Sequence, residues 1–400
     1  MRNHTQKALL FIEPVSSSSK LILKAQEKRY DPLIISANFN QQPLPNEVIN
    51  TSLTIFQINI KDHRAVLDLV EKISQKFHVD GVIPGAEQYT SLTNQVAIYL
   101  KKPGLTEEAI SQIQRKDALY DCLKTHHIPL LSYERVITPE KLKAAIQHVG
   151  LPCVLKSTRN ISSATIKIAN TLEEALQIFE AIMHQEEEYK ISEDIAFQPS
   201  VLIQEYMEGT IYSVEGFLNN KLVSIVSVTE KILSPELDLT PIGYIVRSEN
   251  EKLLIHVESY LKQVLSALKL NHGPFQADIK LSEKGPLLTE IFIGFPKSQI
   301  STLIGHATGI DYYDNVLKFF SNQPLYLQKT KRLNAGVAFL HTHNTLEACL
   351  ENPHVTEIET YDKEEKLNSS IKQKLGHAFF LHKDYEILKQ QFVTLLPHSR

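Results

Sequence analysis

Glycine is scarce in this chain: 14 of 400 residues, about half the roughly 7% of average usage. Gly-rich nucleotide loops therefore cannot be scattered along it, and a backbone cradle for phosphate has few places to form. Cysteine is scarcer still. Cys122, Cys153 and Cys349 are far apart, odd in number and never in a Cys-x-x-Cys pair, which excludes a disulfide framework and a cysteine zinc site. A reducing, cytoplasmic compartment is expected. An excess of either charge is missing too, because 42 Lys plus Arg against 46 Asp plus Glu leaves -4 at pH 7. No global field draws the chain to nucleic acid or to an anionic membrane. No run approaches the roughly 18–20 apolar residues of a membrane span, and Ala8–Ile12 is too short for a signal peptide core. A soluble, unprocessed protein is expected. What remains, 42% hydrophobic and 22% charged, is ordinary globular composition at a length that predicts two or three packed units.

Along the first hundred residues, Ala8–Ile12, Pro32–Ser36, Thr54–Ile58 and Gly81–Pro84 read as strands, with helices over Ser19–Lys28 and Arg64–Phe77. This alternation predicts an α/β unit with a parallel sheet and right-handed crossovers. Its first strand-to-helix turn, Glu13-Pro-Val-Ser-Ser-Ser-Ser, is not Gly-x-Gly-x-x-Gly, so dinucleotide binding is not expected there. After Pro103-Gly104 the pattern predicts one helical stretch over Thr106–Thr125, a strand Leu151–Ser157 with Lys156 near its end, a strand Thr165–Ala169 and a helix Leu172–Gln185. Gln185–Asp194 is acidic and reads as an exposed linker. From Val201 strands dominate (VLIQEYM, IYSVEGFL, LVSIVSVTEK), followed by a helix Leu253–Leu268 and a hairpin Gly273–Ile293. Beyond Pro324 one further strand, Gly336–His341, and weakly patterned helices are legible.

The hairpin carries the first chemical signal. With its turn centred on Lys284, Asp278 lies opposite Glu290 on one face of the sheet. Facing carboxylates about 5 Å apart repel unless one is protonated or a cation lies between them. Oxygen-only ligands of this kind suit Mg²⁺ or Mn²⁺ holding nucleotide phosphates. The plainer alternative is a solvated face whose charge is balanced by neighbouring Lys280. Lysines complement the pair: Lys156 ends an apolar strand, Lys231 closes SIVSVTEK, and Lys116 sits in a helix after a Pro-Gly break. Three lysines with two facing carboxylates are the parts of a triphosphate site. The segment QEYMEG, Gln204–Gly209, links two strands and offers backbone groups to an adenine edge. No Gly-x-Ser-x-Gly elbow is present, so the chain lacks that signature of a covalent hydrolase.

In order and spacing these segments resemble the ATP-grasp superfamily, most closely the L-amino-acid ligases and related carboxylate–amine ligases. The likeness runs from about Ala8 to His341, through QRKDALYDCLKTHHIP, LPCVLKS, VLIQEYMEGTIYSVEGF, VTEK, ALKLNHGPFQADIKL and GPLLTEI. It implies an N-terminal preATP-grasp domain with a parallel sheet (1–105), an ATP-grasp N-terminal part with a mobile lid (106–200), an ATP-grasp C-terminal part with an antiparallel sheet and the metal site (201–325), and a C-terminal extension (326–400). ATP would lie between two antiparallel sheets. Carried over by position, Lys116 and Lys156 match phosphate-contacting lysines; Gln204, Glu205 and Met207 match the adenine hinge; Glu215 matches a glutamate of the next strand. Lys231 matches the lysine of Thr-Glu-Lys, and Asp278 and Glu290 match the acidic metal ligands. Such enzymes phosphorylate a carboxylate with ATP and let an amine attack the acylphosphate, so ATP, Mg²⁺ (or Mn²⁺) and small carboxylate and amine substrates are implied. Homodimers are common among them.

The chain also departs from the pattern. Where the family reads Glu-x-Asn-x-Arg, this sequence reads Glu290-Ile-Phe292-Ile-Gly294. An aromatic ring replaces the third ligand, and an arginine is missing. Arg247 or Lys297 would restore that positive charge, which makes Lys231 and Arg247 the candidate catalytic cations. Ile211 stands where the ribose-binding glutamate is usual, and the lid segment Ser157–Ala164, Gly-rich in the family, has no glycine. The alternative to a working ligase is therefore a degenerate ATP-grasp protein, a nucleotide-binding or scaffold module with little turnover. A biotin-dependent carboxylase or purine-pathway ligase is a third reading.

Overall fold

A computed structural model describes residues 7–15, 18–37, 44, 46–49, 51, 53–159, 166–193, 197–220, 222–233, 241–247, 251–283, 285–296, 299–361 and 375–395. The chain opens with β1 (Lys7–Ile12), α1 (Ser19–Glu27), β2 (Asp31–Ser36), α2 (Asn46–Ile49), β3 (Thr54–Gln57), α3 (His63–Ser74), β4 (His78–Pro84) and α4 (Thr90–Tyr99). The four strands form a parallel sheet in the order β3-β2-β1-β4. Strands β1 and β2 are almost wholly apolar because helices cover both faces of the sheet.

The helical stretch expected over Thr106–Thr125 is two helices, α5 (Glu107–Gln114) and α6 (Lys116–Thr125). Arg115 between them is extended, at φ −126° and ψ 124°. It bridges to Arg159, and the Lys116 N–H donates to Thr158 O at 2.7 Å. A tertiary partner thus replaces the helical bond, and Asp117 fixes the break by pairing with both Arg115 and Arg135.

A second sheet, antiparallel and ordered β5-β8-β6-β7, combines β5 (Tyr133–Val136), β6 (Cys153–Ser157), β7 (Lys167–Ala169) and β8 (Val201–Glu205). Helices α7 (Pro139–Val149) and α8 (Leu172–Glu193) cover one face. The segment from Gln185 on is not a linker; α8 continues through it to Glu193, and Asp194 lies outside the described residues. Helical period decides this, because Glu186 falls one turn after buried Ile182 and accepts a hydrogen bond from Ser157 Oγ.

The third sheet has eight strands in the order β13-β12-β9-β10-β11-β14-β16-β15 and is antiparallel throughout. Its strands are β9 (Ile211–Asn219), β10 (Leu222–Leu233), β11 (Pro241–Val246), β12 (His272–Ser282), β13 (Gly285–Ile293), β14 (Asn334–Leu340), β15 (Val355–Thr360) and β16 (Gly376–His382). With them come α9 (Glu251–Ala267), α10 (Ile300–Thr308), α11 (Tyr312–Phe320), α12 (His343–Leu350) and α13 (Tyr385–Leu395). Strands β15 and β16 and helix α13 were not legible as such, and they make the C-terminal region part of the large sheet. Gly243 and Gly336 let the Phe392 ring lie on that sheet, since a Cβ on either would approach it within 2.3 Å and 2.9 Å. One apolar core joins β1 and α1 to β10, β11, β14, α10 and α11, whereas the β5-β8-β6-β7 sheet has a core of its own. No helix among the described residues is long and apolar enough to cross a membrane.

Candidate nucleotide and metal site

Alternation along the large sheet sets the site. Ala277, Ile279, Ile291, Val214 and Val228 turn to one face and pack with α9. The residues between them, Lys231, Thr229, Ser213, Glu215, Gln276, Asp278 and Glu290, share the other face, because Ser213 pairs with both Thr229 and Asp278, and Asp278 with Glu290. The expected Asp278–Glu290 register is therefore present. Its origin differs from the expectation: Ser282 pairs with Gly285, one residue out of step, and a bulge at Thr289 brings Glu290 opposite Asp278. Lys284 lies outside the described residues.

Lys280 does not balance the two acids, as the plainer reading supposed. Its Nζ donates to Met207 O and lies 5.0 Å from the centroid of the Tyr206 ring. Asp278 is instead paired with Lys231, and Glu290 with Lys116 at 3.3 Å. Lys156 comes from the facing sheet and donates to Gln204 Oε1 at 2.9 Å and to Thr289 O at 3.3 Å. Its Nζ also lies 5.3 Å from the centroid of the Tyr120 ring. Burial, with Lys116 adding repulsion, brings Lys156 down to a pKa of about 7, against the opposing pull of Glu290 and Asp278. Burial also works against the charge on Lys231, but Asp278 overrides it and raises the pKa. Glu215 is pushed up to about 8 by burial; it accepts from Thr229 Oγ1 at 2.7 Å.

Lys116, Lys156, Gln204, Lys231, Asp278 and Glu290 thus meet between two antiparallel sheets, with Glu215 deeper on the same face. Glu205 and Met207 lie at the outer end, where Glu205 pairs its backbone with Ser132. Arg247 is not brought to this site. It follows Ile245 on the opposite face of the sheet, where its guanidinium stacks 3.6 Å from the centroid of the Tyr385 ring above buried Glu230. Lys297 and residues 160–164 of the lid segment lie outside the described residues.

Asp278 and Glu290 fit a divalent cation. Asp278 Oδ1 is buried without a hydrogen-bond partner among the described residues, and two carboxylates suffice for an ion whose other ligands are phosphate and water. No cluster of three or more potential metal-ligating side chains occurs among the described residues, and Phe292 places a buried ring two residues beyond Glu290. Sequence reading missed Tyr120, whose hydroxyl donates to both Leu288 O and Thr289 O at 3.1 Å. The available signal was its position one helical turn after Lys116.

Two antiparallel sheets closing on lysines and facing acids define an ATP-grasp fold. Residues 149–294 match the family model described as "ATP-grasp domain". The L-amino acid ligase from Bacillus licheniformis superimposes with a TM-score of 0.77 at 16% identity, covering 98% of this chain and 97% of that one. Carboxyaminoimidazole ribonucleotide synthase from Aspergillus clavatus, solved with ATP, gives 0.74 at 17% identity and 98% coverage of both. In sequence the chain is 22% identical over 218 residues to alanine–anticapsin ligase of Bacillus subtilis (strain 168), a match spanning 53% of this chain and 46% of that protein. The chain thus matches less than half the length of this curated relative.

Proposed function

We propose that this protein is an ATP-dependent ligase that joins a carboxylate to an amine through an acylphosphate, acting on amino acids or related small molecules. The observation that carries the reading is the convergence of Lys116, Lys156 and Lys231 on the facing carboxylates Asp278 and Glu290. Lys231 and Lys116 each hold an acid, so each can exchange that partner for a phosphate oxygen. Lys156 donates to the neutral oxygens of Gln204 and Thr289, which leaves its charge the least compensated and the most available to a transferring phosphoryl group. Mg²⁺ or Mn²⁺ on Asp278 and Glu290 would neutralise phosphate charge. The Gln204–Met207 segment would face the adenine end. The substrate carboxylate attacks the γ-phosphorus and ADP leaves; the amine then attacks the acyl carbon and phosphate leaves. With Gly294 lacking a side chain and Arg247 on the far face, anion stabilisation falls to the three lysines. Nothing in the comparisons favours the degenerate alternative that Phe292 and Gly294 raise.

ATP binding measured by calorimetry with Mg²⁺, followed by ADP and phosphate release across amino-acid pairs, tests the reading. Lys156→Met and Lys231→Met are each expected to lower ADP release by roughly a hundredfold or more. Asp278→Asn combined with Glu290→Gln is expected to remove metal-dependent nucleotide binding. No binding at millimolar ATP, or release undiminished in these variants, would overturn it.

A further inference from the structure

Glu186 is a fully buried acid that the proposed reaction does not use. It stands on α8 one turn after Ile182, and its carboxylate accepts from the hydroxyl of Ser157, the residue directly after Lys156 at the end of β6. Strand alternation explains the contact. Lys156 points to the nucleotide face, so Leu155 and Ser157 turn to the helices, where Leu155 joins the apolar core. A hydroxyl in that position is costly without an acceptor, and Glu186 supplies one.

The bond reaches further than one hydroxyl. The Arg159 N–H donates to Ser157 Oγ at 3.0 Å, so Ser157 links α8 to the turn that follows β6. That turn in turn holds Lys116: Thr158 O accepts from the Lys116 N–H at 2.7 Å, and Arg159 O accepts from Lys116 Nζ at 3.5 Å. The same ammonium pairs with Glu290 at 3.3 Å, on the acid side of the site. The Arg159 guanidinium is turned aside, 3.9 Å from the centroid of the Phe197 ring, so the turn meets Lys116 with its carbonyls. Burial raises the Glu186 pKa, while the Ser157 bond and the charges of Arg159 and Lys116 oppose it by favouring the carboxylate. The second carboxylate oxygen, Oε2, is enclosed and has no hydrogen-bond partner among the described residues. The acid is therefore placed to hold the chain and not to meet a ligand.

Deepening the ligase reading, on which it rests, we propose that Glu186 is a positioning residue for nucleotide binding: through Ser157 it fixes the Ser157–Arg159 turn, and through that turn it sets the Lys116 ammonium where it meets phosphate. Glu186 itself touches neither nucleotide nor substrate.

The test is the affinity of the full-length protein for ATP with Mg²⁺, measured by calorimetry, with ADP release across amino-acid pairs as a second readout. Glu186→Ala and Ser157→Ala are each expected to weaken binding by roughly five- to thirtyfold, the effect of one lost buried hydrogen bond. Glu186→Gln, whose amide oxygen still accepts from Ser157, should stay within about threefold of wild type. In a Lys116→Met background the further change Glu186→Ala should alter affinity by less than about twofold, because the group it acts through is gone. Wild-type affinity in Glu186→Ala, a Glu186→Gln loss as large as that of Glu186→Ala, or an undiminished Glu186→Ala effect beside Lys116→Met would overturn the proposal and leave the ligase reading standing. Should Glu186→Ala not fold, Ser157→Ala and Glu186→Gln, alone and beside Lys116→Met, decide it by the same criteria. If the variants behave as expected but no pair releases ADP, the positioning role stands and the ligase reading falls. No binding of ATP by the wild type overturns both.

Discussion

Two buried ionisable side chains on the nucleotide face titrate in opposite senses. Lys156, with its pKa near 7, binds fewer protons folded than unfolded between about pH 7 and 10.5, so its contribution to stability is full above that window and is lost as pH falls through 7. Glu215, raised to about 8 from 4.5, binds more protons folded, so its contribution is full below pH 4.5 and is lost as pH rises through 8. Each slope is at most about 1.4 kcal/mol per pH unit. Glu215→Gln keeps the shape and removes the titration, so its melting temperature should fall less than wild type's between pH 5 and 8; equal slopes by differential scanning calorimetry would refute the assignment. Lys156 gives a second expectation. A triphosphate brought against it favours the ammonium, so ATP binding at pH 8 should take up protons, read as a dependence of the calorimetric enthalpy on buffer ionisation enthalpy. Lys156 was legible in the sequence because a lysine ending an apolar strand has few places to put its charge, whereas Glu215 entered only through the family resemblance. Arg247 was misplaced because the phase of β11, behind the undescribed residues 234–240, decides its face, and no sequence feature fixed that phase.

At the scale of the elements, the hairpin and α6 explain one another. Hairpin alternation made the Asp278–Glu290 pairing readable, yet the bulge at Thr289 was not, since nothing in PLLTEI distinguishes an extra residue from a paired one. The bulge has a partner in α6: Tyr120 donates to the carbonyls of Leu288 and Thr289 and lies beside Lys156. The break at Arg115 was hidden for a related reason, because the helical period continues through it and only the contacts with Arg159 and Thr158 interrupt the ladder. Tyr120→Phe keeps the ring and removes the hydroxyl that donates to Leu288 O and Thr289 O, leaving Lys156 as the side-chain donor to Thr289 O. It is expected to cost about 1–2 kcal/mol, measured by urea denaturation at pH 7.5. A loss below a few tenths would mean that the hydroxyl does not secure the bulge.

For the whole molecule, the distribution of cores predicts how the chain comes apart. Leu9, Phe11, Leu21 and Ile22 of the N-terminal unit share one apolar cluster with Phe217, Tyr244, Ile304, Tyr312 and Val337 of the large sheet. Ion pairs from Lys24 to Asp311 and from Lys28 to Asp314 lie along the same seam. Neither part can lose its structure without exposing the other's core, so the two should unfold together. The sheet carrying Lys156 is different: Val136, Leu142, Ile146, Phe179, Ile182 and Ile203 close a cluster among themselves. Its ties to the rest of the molecule include the bond of Lys156 to Thr289 O and the small cluster of Tyr120 with Tyr133 and Leu202, so it is the unit expected to open separately. Hydrogen exchange should therefore show one cooperative opening for β1, β2, β10 and β14 and an independent, lower-energy opening for β6 and β8. Addition of ATP with Mg²⁺ should slow exchange at residues 153–157 and 201–207 and leave β1 and β2 unchanged. Uniform exchange across all three sheets, or nucleotide protection confined to the N-terminal unit, would contradict both the separate lid core and the placement of nucleotide beneath it.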